Sequence, residues 1–540
     1  MNLLSKDATL EESIFKMETI LNELDFGLIY SKEKHPLTNC FSVNLSFASA
    51  KEYIYSNGKG ICSEACKASA LGEFIERLQT NNFFMEFYLP NRSYYPDEVV
   101  LEFDDDYLSE DLLSIYNPSD TLDGEDLVDF CSDYDDKIIA LPFKNQRDDI
   151  NYYFPINLIY NLYASNGLAT GNTPSEAKSQ ALSEIIERYV KIQIIKQGYS
   201  LPKYDESLIK QIPKVYEDIQ KLRNSGYIVE VLDGSLGGKF PVIAISLINP
   251  NNATLFVSFG AHPIFEVAIE RTMTELMQGR DLDALDTFEI PTFDMELVSS
   301  DSNIESHFID SNGKIGFGFL SSKKSFEFSS WIYTGTCSKD EEEYLSNIIY
   351  GMNKEIYIRE YNYLDFYSCQ IVVPSMSEVY PIEDLTYNNK NSAKRIRDMV
   401  LGYKKFDPEE ILDNLDDLEY NLDMAKYIGV IFEDSFTYGD FKAQIHLLAG
   451  EFEEAMGLFE FSTNPYARVL YELLKMKQEE QNINDYKEAL YNIFTKEKVI
   501  QGQNIINGDE YLINVTFHQE YLNILKMYDT LAIKKEFHKN

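Results

Sequence analysis

The stretch Ala70-Leu71-Gly72-Glu73-Phe74-Ile75-Glu76-Arg77 decides the fold of this chain, because it recurs as Ala181-Leu182-Ser183-Glu184-Ile185-Ile186-Glu187-Arg188. In both copies the apolar residues recur at helical spacing, which predicts two amphipathic helices with Glu, Glu and Arg on the polar face. Two such helices that face each other would bring four carboxylates and two guanidinium groups together. Crowded carboxylates repel one another unless cations join them, and arginines bind anions. The repeat therefore indicates a polyphosphate site bridged by magnesium ions.

A solvated helix face is the simpler explanation for any single Glu-x-x-Glu-Arg segment, because such ion pairs are common on helix surfaces. The recurrence of the flanking Ala-Leu and of the apolar stripe argues against it. So does the glycine-containing loop 165–172, which leads into the second copy. Thr173, Pro174 and Glu176 form a predicted capping box, so Glu176 alone could be only a cap. Arg271 is a third candidate for binding phosphate oxygens, although taken alone it is better explained by an ion pair with Glu275.

The composition restricts the classes of function. A chain of 540 residues with 44% apolar and 14% aromatic residues can form two or three packed domains. Its net charge of −41 argues against nucleic-acid binding and favours a basic protein partner. The start of the chain lacks the pattern of a secretory signal, and no apolar run is long enough for a membrane span. The six irregularly spaced cysteines indicate reduced thiols, so we expect a soluble cytoplasmic protein.

The order of the predicted elements indicates an α+β region followed by a helical one. Residues 97–136 are very acidic, with Asp104, Asp105 and Asp106 in a row, and predict a surface insertion between the two motif copies. Helical periodicity dominates after about residue 395, so the predicted domains are 1–400 and 401–540. Residues 446–455 are similar to the junction of a tetratricopeptide helix pair. The predicted helices are 9–25, 63–82, 173–196 and one from 264, and the predicted strands are 41–56, 227–233, 241–249, 254–260, 355–361 and 369–374.

Other motifs are explained more simply. The segment 234–240 fails the spacing of a phosphate-binding loop, because Asp233 stands at the first glycine position, and it predicts a hairpin turn. Cys62 and Cys66 lack the third cysteine of a radical iron–sulfur motif and are interpreted as packing thiols. The six scattered histidines give no zinc cluster. His262, in a turn before the helix of Arg271, is predicted to cap or position that helix.

These motifs resemble those of the YcaO family of ATP-binding proteins. The first family motif corresponds to Ser69, Glu73, Glu76 and Arg77, and the later arginine to Arg271. The second motif corresponds to Glu176, Gln180, Glu184, Glu187 and Arg188. The resemblance covers essentially the whole chain and is strongest to about residue 380. It implies an α+β fold, in which a YcaO-type ATP-binding domain with mixed sheets and helices precedes an all-α, tetratricopeptide-like C-terminal domain.

The same resemblance implies the cofactors and the residues of the site. ATP and Mg2+ would be bound, with the metal ions held by Glu73, Glu76, Glu184 and Glu187. One position departs from the family pattern, since a nucleotide-contacting Ser is Ala169 here, and that contact is lost or supplied by Thr170. The residues that would contact the nucleotide are Lys6, Ser13, Ser69, Glu73, Glu76, Arg77, Ala169, Asn172, Glu176, Gln180, Arg188 and Arg271.

The intact Glu and Arg motifs fit three functions, of which the resemblance implies the first two. Stand-alone bacterial members are linked to β-methylthiolation of an aspartate in a small-subunit ribosomal protein, where they assist a radical S-adenosylmethionine methylthiotransferase. A strongly acidic chain suits such a basic partner. The family's shared chemistry, activation of a backbone amide by ATP to form azolines or thioamides, is the second possibility. Azoline-forming members usually end in Pro-x-Pro-x-Pro, whereas the last proline here is Pro465. The third is a non-catalytic nucleotide-sensing scaffold. A homodimer is expected, with no direct contact to nucleic acid or membrane.

Overall fold

A computed structural model describes residues 3–103, 107–309, 312–387, 391–415 and 418–537. The predicted run Asp104 to Asp106 lies outside these residues. Within these ranges the strands form three antiparallel sheets, and helices cover them and make up the C-terminal region. The predicted α+β fold with a helical C-terminal region is therefore confirmed.

The first sheet has the order β1-β3-β2, with β4 also paired to β3, and the second has the order β11-β10-β9. The third has the order β5-β6-β12-β13-β8, and β7 also pairs with β6. The strands are β1 (Leu28–Tyr30), β2 (Lys34–Leu37), β3 (Cys40–Phe47), β4 (Tyr55–Gly60), β5 (Val99–Glu102), β6 (Lys137–Asn145), β7 (Asn151–Pro155), β8 (Leu168–Gly171), β9 (Ile228–Asp233), β10 (Val242–Asn249), β11 (Thr254–Ala261), β12 (Tyr357–Tyr361) and β13 (Tyr367–Val372).

The helices alternate with these strands up to residue 387 and follow one another without strands after it, among the residues described. They are α1 (Leu10–Asn22), α2 (Ser63–Gln79), α3 (Glu110–Tyr116), α4 (Ile156–Leu158), α5 (Pro174–Gln197), α6 (Glu206–Ile209), α7 (Pro213–Asn224), α8 (Phe265–Met277), α9 (Met295–Ser299), α10 (Asp301–Ile309), α11 (Ser338–Gly351), α12 (Asp384–Tyr387), α13 (Asn391–Leu401), α14 (Pro408–Asn414), α15 (Met424–Ile428), α16 (Tyr438–Ala449), α17 (Phe452–Phe459), α18 (Ala467–Gln478), α19 (Ile483–Phe494), α20 (Lys496–Asn507) and α21 (Gln519–Phe537).

Most predicted elements are confirmed within a few residues, and 41–56 is the exception. The strand β3 ends at Phe47, a turn of 3-10 helix follows at Ala48–Ala50, and β4 begins at Tyr55. The apolar and polar residues continue to alternate through this turn, which is why the sequence suggested one strand. The predicted hairpin turn at 234–240 joins the antiparallel strands β9 and β10.

The acidic segment 97–136 contributes to the core as well as to the surface. The strand β5 pairs with β6 in the third sheet. The side chains of Leu112, Tyr116 and Leu127 are buried in the largest apolar cluster. These apolar residues are spaced among the acids, so the charges stay at the surface while the segment packs.

Two glycines let helices α2 and α5 approach neighbouring strands closely. A Cβ at Gly58 of β4 would lie 2.2 Å from the carbonyl oxygen of Cys66 in α2. A Cβ at Gly171, at the end of β8, would lie 2.6 Å from the amide nitrogen of Ala177 in α5. Both distances are impossible for a real side chain, so these glycines set the positions of α2 and α5.

The helical C-terminal region shares its core with the N-terminal region. The predicted tetratricopeptide-like junction is α16 and α17 joined through Gly450, which has a φ of +78°. The last helix, α21, returns to the first half of the chain, where the Tyr521 and Tyr528 hydroxyls donate to the Tyr88 and Ser93 carbonyls at 2.6 and 2.7 Å. The domain boundary near residue 400 stays a prediction.

All six cysteines are free thiols. Cys66 is buried in α2, and Cys62 stands at the N-cap position of that helix. In the part of the chain that the structure describes, no helix combines the length and apolarity needed to cross a membrane.

Candidate functional site

A cleft of about 1280 Å3 lies between α2, α5, α8 and the first residues of the chain. It collects the predicted site residues from four separate parts of the sequence. The predicted residues that line it are Lys6, Ser13, Ser69, Glu73, Glu76, Arg77, Asn172, Glu176, Gln180, Glu184, Glu187, Arg188 and Arg271.

Ala169 is the predicted site residue that does not line the cleft. It is fully buried on β8, opposite Cys369 of β13, and belongs to an apolar core cluster. The next residue, Thr170, lines the cleft, and its hydroxyl donates to the Tyr367 carbonyl at 2.8 Å. Successive residues of a strand face opposite sides, so Thr170 takes the position toward the cleft.

On α2, the first motif holds its arginine between its two carboxylates. Arg77 lies 3.7 Å from Glu73 and 3.6 Å from Glu76, and it donates to the Asn82 side chain at 2.9 Å. Burial raises the pKa of Glu76 to about 8, and Arg77 only partly offsets this shift. Such a buried carboxylate gains stability when a further cation joins it.

On α5, the second motif places its groups differently. Arg188 pairs with Glu184 at 3.0 Å, whereas Glu187 accepts a hydrogen bond from the Ala261 amide at 3.2 Å. Burial raises the pKa of Glu187, and Lys59 opposes the shift. Lys59 comes from β4, where it is paired with Glu275 of α8. The carboxylates of α2 and α5 therefore lie close enough in the cleft for Glu184 to act on Glu76, with basic side chains around them.

The side chains of the cleft fit a magnesium ion that is coordinated partly by carboxylates and partly by phosphate oxygens. Within the described residues, no three acidic, histidine or cysteine side chains are arranged to hold a metal ion by themselves. Mg2+ is typically bound through one or two carboxylates together with phosphate oxygens rather than in a cage of protein ligands. The glutamates of the two motifs supply the carboxylate oxygens that this mode of binding needs.

The N-terminal segment is held to the start of α5. Lys6 pairs with Glu176 at 3.0 Å, and the Asp7 amide donates to the same carboxylate at 3.0 Å. Asn172 donates to Glu176 at 2.9 Å and accepts from the Ser13 hydroxyl at 2.8 Å. Glu176 is only 4% exposed, so these contacts satisfy a buried carboxylate.

The predicted capping box at α5 is half correct. The Thr173 hydroxyl accepts from the Glu176 amide at 3.2 Å, as an N-cap does. The Glu176 carboxylate does not return to the Thr173 backbone, because it binds Lys6 and Asp7 instead. Contacts from a segment about 170 residues earlier thus replace the local one.

Arg271 lies in the cleft rather than in a surface ion pair with Glu275. Its guanidinium group donates to the Gln180 side chain and, at 3.4 Å, to the Ala261 carbonyl. Burial lowers the pKa of Arg271, although Glu187 and other acids oppose this. Gln180 and Arg271 therefore join α5 to α8 across the cleft.

His262 caps the turn before α8, as predicted, and also contacts the N-terminus. Its Nδ1 accepts from the Ile264 amide at 3.0 Å, so Nε2 carries the proton. Nε2 lies 2.9 Å from the Ser5 hydroxyl, which donates to Glu341 at 2.6 Å. Burial lowers the pKa of His262 to about 4. The sequence reasoning missed Ser5 and Glu341, because only the fold brings them together.

Two basic residues missed by the sequence reasoning, Lys191 and Arg280, also line the cleft. Lys191 follows Glu187 by one turn of α5, a helical spacing that could have identified it. Burial lowers the pKa of Lys191 to about 8, and Glu187 opposes the shift. Burial also lowers the pKa of Arg280. The basic lining of the cleft therefore continues past the second motif on α5.

The comparisons with known sequences agree with the motifs. A family model described as YcaO cyclodehydratase, ATP- and Mg2+-binding, matches residues 57–377. An uncharacterized protein of Haemophilus influenzae is 37% identical over 568 aligned positions, which cover 96% of each protein. The Escherichia coli protein named ribosomal protein S12 methylthiotransferase accessory factor YcaO is 38% identical over 511 positions, which cover 88% of this chain and 87% of that protein.

Solved structures give more remote similarities. YcaO from Methanopyrus kandleri, bound with AMPPCP and Mg2+, has a TM-score of 0.45 and 15% identity, over 72% of this chain and 96% of its own. A heterocyclase in complex with substrate and cofactor has a TM-score of 0.49 and 17% identity, over 69% of this chain and 53% of its own. This chain thus spans about half the length of that heterocyclase.

Proposed function

The chain belongs to the YcaO family, and on that premise we propose that it assists the β-methylthiolation of an aspartate in a small-subunit ribosomal protein. ATP and Mg2+ are its cofactors, as the description of the family states. The observation that carries the proposal is 38% identity, over 88% of the chain, with a relative named as an accessory factor of the ribosomal protein S12 methylthiotransferase. The partners are then a basic ribosomal protein and a radical S-adenosylmethionine methylthiotransferase, in the cytoplasm.

We assign the paired motifs to the phosphates and metal ions of ATP. In this proposal Glu73, Glu76, Glu184 and Glu187 share magnesium ions with phosphate oxygens. Arg77, Arg188 and Arg271 bind the phosphates, since a guanidinium group donates two parallel hydrogen bonds to an oxyanion. Support comes from the position of all seven side chains along one cleft. Bound at these residues, the ions would neutralise the negative charge of the phosphates.

The protein's own groups would bind and orient the nucleotide rather than exchange protons with it. Lys6, Ser13, Asn172 and Glu176 form a connected set of hydrogen bonds at the end of the cleft nearest the N-terminus. Gln180 and Arg271 fix α5 against α8. A cleft preorganised in this way loses little conformational freedom when the nucleotide binds.

Calorimetric titration of ATP with Mg2+ tests the site. The double variant Glu76→Gln and Glu187→Gln keeps the side-chain shapes and removes two carboxyl groups that would bind Mg2+, so we expect it to weaken binding at least tenfold. The matched control is Glu454→Gln, on the exposed face of α17. Equal affinity of the wild type and the double variant would show that the repeated motifs are only solvated faces.

Modification of the ribosomal protein tests the function. The methylthiotransferase and ribosomal protein S12 are incubated with wild-type protein, with the double variant, or alone, and the methylthio group is measured by mass spectrometry. We expect the wild type to increase the modified fraction and the double variant not to. An unchanged fraction, despite confirmed ATP binding, would contradict the accessory role. Light scattering would in parallel test the expected homodimer.

Backbone-amide activation is the second candidate, and the word cyclodehydratase in the family's description favours it. Release of ADP and phosphate that depends on an added peptide, with the loss of water from that peptide, would support this function. Binding of ATP without turnover, both with and without the added peptide, would instead support the third candidate, a nucleotide-sensing scaffold.

A further inference from the structure

Lys191 and Arg280 differ from the other basic groups deep in the cleft. Lys6, Lys59, Arg77 and Arg188 each contact a carboxylate, and Arg271 contacts the amide oxygen of Gln180. Among the described residues, no carboxylate lies within ion-pair distance of Lys191 or Arg280. Both are half-buried in a chain with a net charge of −41, in which acids outnumber bases. The charge of Glu187 acts on Lys191 from one turn earlier on α5, beyond ion-pair distance. A desolvated cation outside ion-pair contact costs free energy, which an anionic ligand would recover.

Both cations are held in place by neutral groups. The Lys191 ammonium donates to the His307 carbonyl at 2.7 Å and lies 4.6 Å from the centre of the Phe308 ring. The Arg280 guanidinium donates to the Leu276 carbonyl at 3.0 Å. It also lies over the Phe256 and Phe288 rings, at 5.0 and 5.3 Å. Carbonyls and aromatic faces fix a cation without neutralising its charge.

Lys191 lies near the C-terminal end of α5 and Arg280 follows the end of α8, away from the start of α5, where Lys6 is bound. Glu176, which binds Lys6, is fifteen residues before Lys191 on α5, or about 22 Å along the helix axis. Glu184 and Glu187 lie between them. Phe308, whose ring Lys191 contacts, and its exposed neighbour Ile309 also line the cleft. Arg280 is close enough to Lys191 for the two positive charges to repel each other. The cleft therefore has a second cationic region, bordered by apolar side chains, past the second motif on α5.

We propose that Lys191 and Arg280 form a subsite for the carboxylate of an acidic side chain in the acceptor polypeptide. This inference rests on the proposed function, in which an aspartate of the partner is modified. The guanidinium group would bind two carboxylate oxygens side by side, the ammonium would add a third hydrogen bond, and Phe308 and Ile309 would contact the neighbouring apolar atoms of the chain.

The test uses N-acetyl-aspartyl-N-methylamide as the probe. Saturation-transfer NMR follows its binding to the full chain, with and without saturating AMPPCP and Mg2+. The comparison ligands are the isosteric asparaginyl compound and inorganic phosphate. We expect the aspartyl compound to bind at least tenfold more tightly than the asparaginyl one. Lys191→Met and Arg280→Met should each weaken it about tenfold or more while AMPPCP affinity changes less than threefold.

Matched controls separate the loss of the subsite from the loss of a surface charge. Lys210→Met and Arg468→Met remove exposed cations that also lie over aromatic rings, those of Tyr216 and Tyr471, and should leave binding unchanged. The charge-preserving variants Lys191→Arg and Arg280→Lys should recover part of the affinity. Thermal unfolding of every variant shows whether it is folded.

Several outcomes would overturn the inference. Equal binding of the aspartyl and asparaginyl compounds, or undiminished binding to both Met variants, would exclude a carboxylate subsite. A parallel loss of AMPPCP affinity would assign the two cations to the nucleotide. Binding of phosphate alone would identify a phosphate site. If the wild type bound no AMPPCP, the proposed function would fail. Binding of the aspartyl compound in the absence of nucleotide would still show whether Lys191 and Arg280 form a carboxylate subsite.

Discussion

His262 is held as a neutral imidazole between the N-terminal segment and α8. Its folded-state pKa of about 4 lies below the unperturbed value of about 6.5. The neutral ring thus stabilises the fold fully above pH 6.5, and this stability is lost as the pH falls toward 4. Between pH 7 and pH 5 we expect the wild type to lose about 2 kcal/mol more unfolding free energy than His262→Asn.

Urea unfolding at the two pH values measures this difference, and NMR titration of the ring proton gives the pKa directly. The asparagine is chosen because its side-chain oxygen can accept from the Ile264 amide, as Nδ1 does. A ring that titrates near pH 6.5 would show that His262 is hydrated and does not form the hydrogen bond to Ser5 of the N-terminal segment.

Single residues show what the sequence could predict about the site and what it could not. The repeated motif predicted Glu73, Glu76, Glu184 and Glu187 together with Arg77 and Arg188, because helical periodicity is a local property. The sequence left open whether the contact at Ala169 is lost or supplied by Thr170, and in the structure Thr170 lines the cleft. The sequence did not show that Lys6 pairs with Glu176, because only the tertiary fold brings them together.

At the scale of elements, close contact between β4 and α2 fixes the position of the helix that carries the first motif. We expect Gly58→Ala to destabilise the protein by roughly 1–3 kcal/mol, because the new methyl group would overlap the Cys66 carbonyl and move α2. The control is Gly457→Ala in α17, where nothing lies within 4 Å of the new Cβ. That variant should be neutral or slightly stabilising, since alanine favours a helix.

Chemical denaturation of both variants measures the two effects, and ATP titration shows whether the shift of α2 reaches the site. If Gly58→Ala were as stable as Gly457→Ala, the contact between β4 and α2 would be looser than the structure indicates.

The elements that the sequence predicted best are those with an unbroken local pattern. The strands β9, β10 and β11 are apolar runs between turn residues, and their predicted bounds agree within one residue. The strand predicted over 41–56 is only partly correct, because β3 ends at Phe47 and the turn at Ala48–Ala50 carries no Gly or Pro to mark it in the sequence. Local patterns cannot show such a turn.

For the whole molecule, α21 joins the end of the chain to the N-terminal core. Met527 is fully buried in the cluster that also contains residues of α2. We expect Met527→Ala to cost about 2–5 kcal/mol and to lower the unfolding temperature of the ATP-binding region, in a single calorimetric transition. The neighbouring exposed Lys526→Ala should have little effect. Two separate transitions, with only one shifted, would favour independently folding domains with a boundary near residue 400.

The sequence could not predict this coupling. The change to helical periodicity near residue 395 is a local signal, and it suggested a separate module. The hydrogen bond between Tyr528 and Ser93 joins residues 435 positions apart, and no periodicity reports such a contact. The sequence pattern thus predicted that the C-terminal region is helical, but it did not predict that this region packs against the N-terminal core.

The net charge of −41 gives a prediction for the proposed ribosomal partner. Long-range attraction between an acidic and a basic protein accelerates association and is screened when salt shortens the Debye length from about 10 Å at 0.1 M to about 3 Å at 1 M. We therefore expect the association rate with ribosomal protein S12 to fall at least about tenfold between 50 and 500 mM NaCl, as is typical of protein pairs whose association is electrostatically steered. Dissociation should change much less, because short-range contacts control it. Stopped-flow binding at several salt concentrations measures both rates. A salt-independent association rate would mean that the acidic surface keeps the protein soluble without guiding its partner.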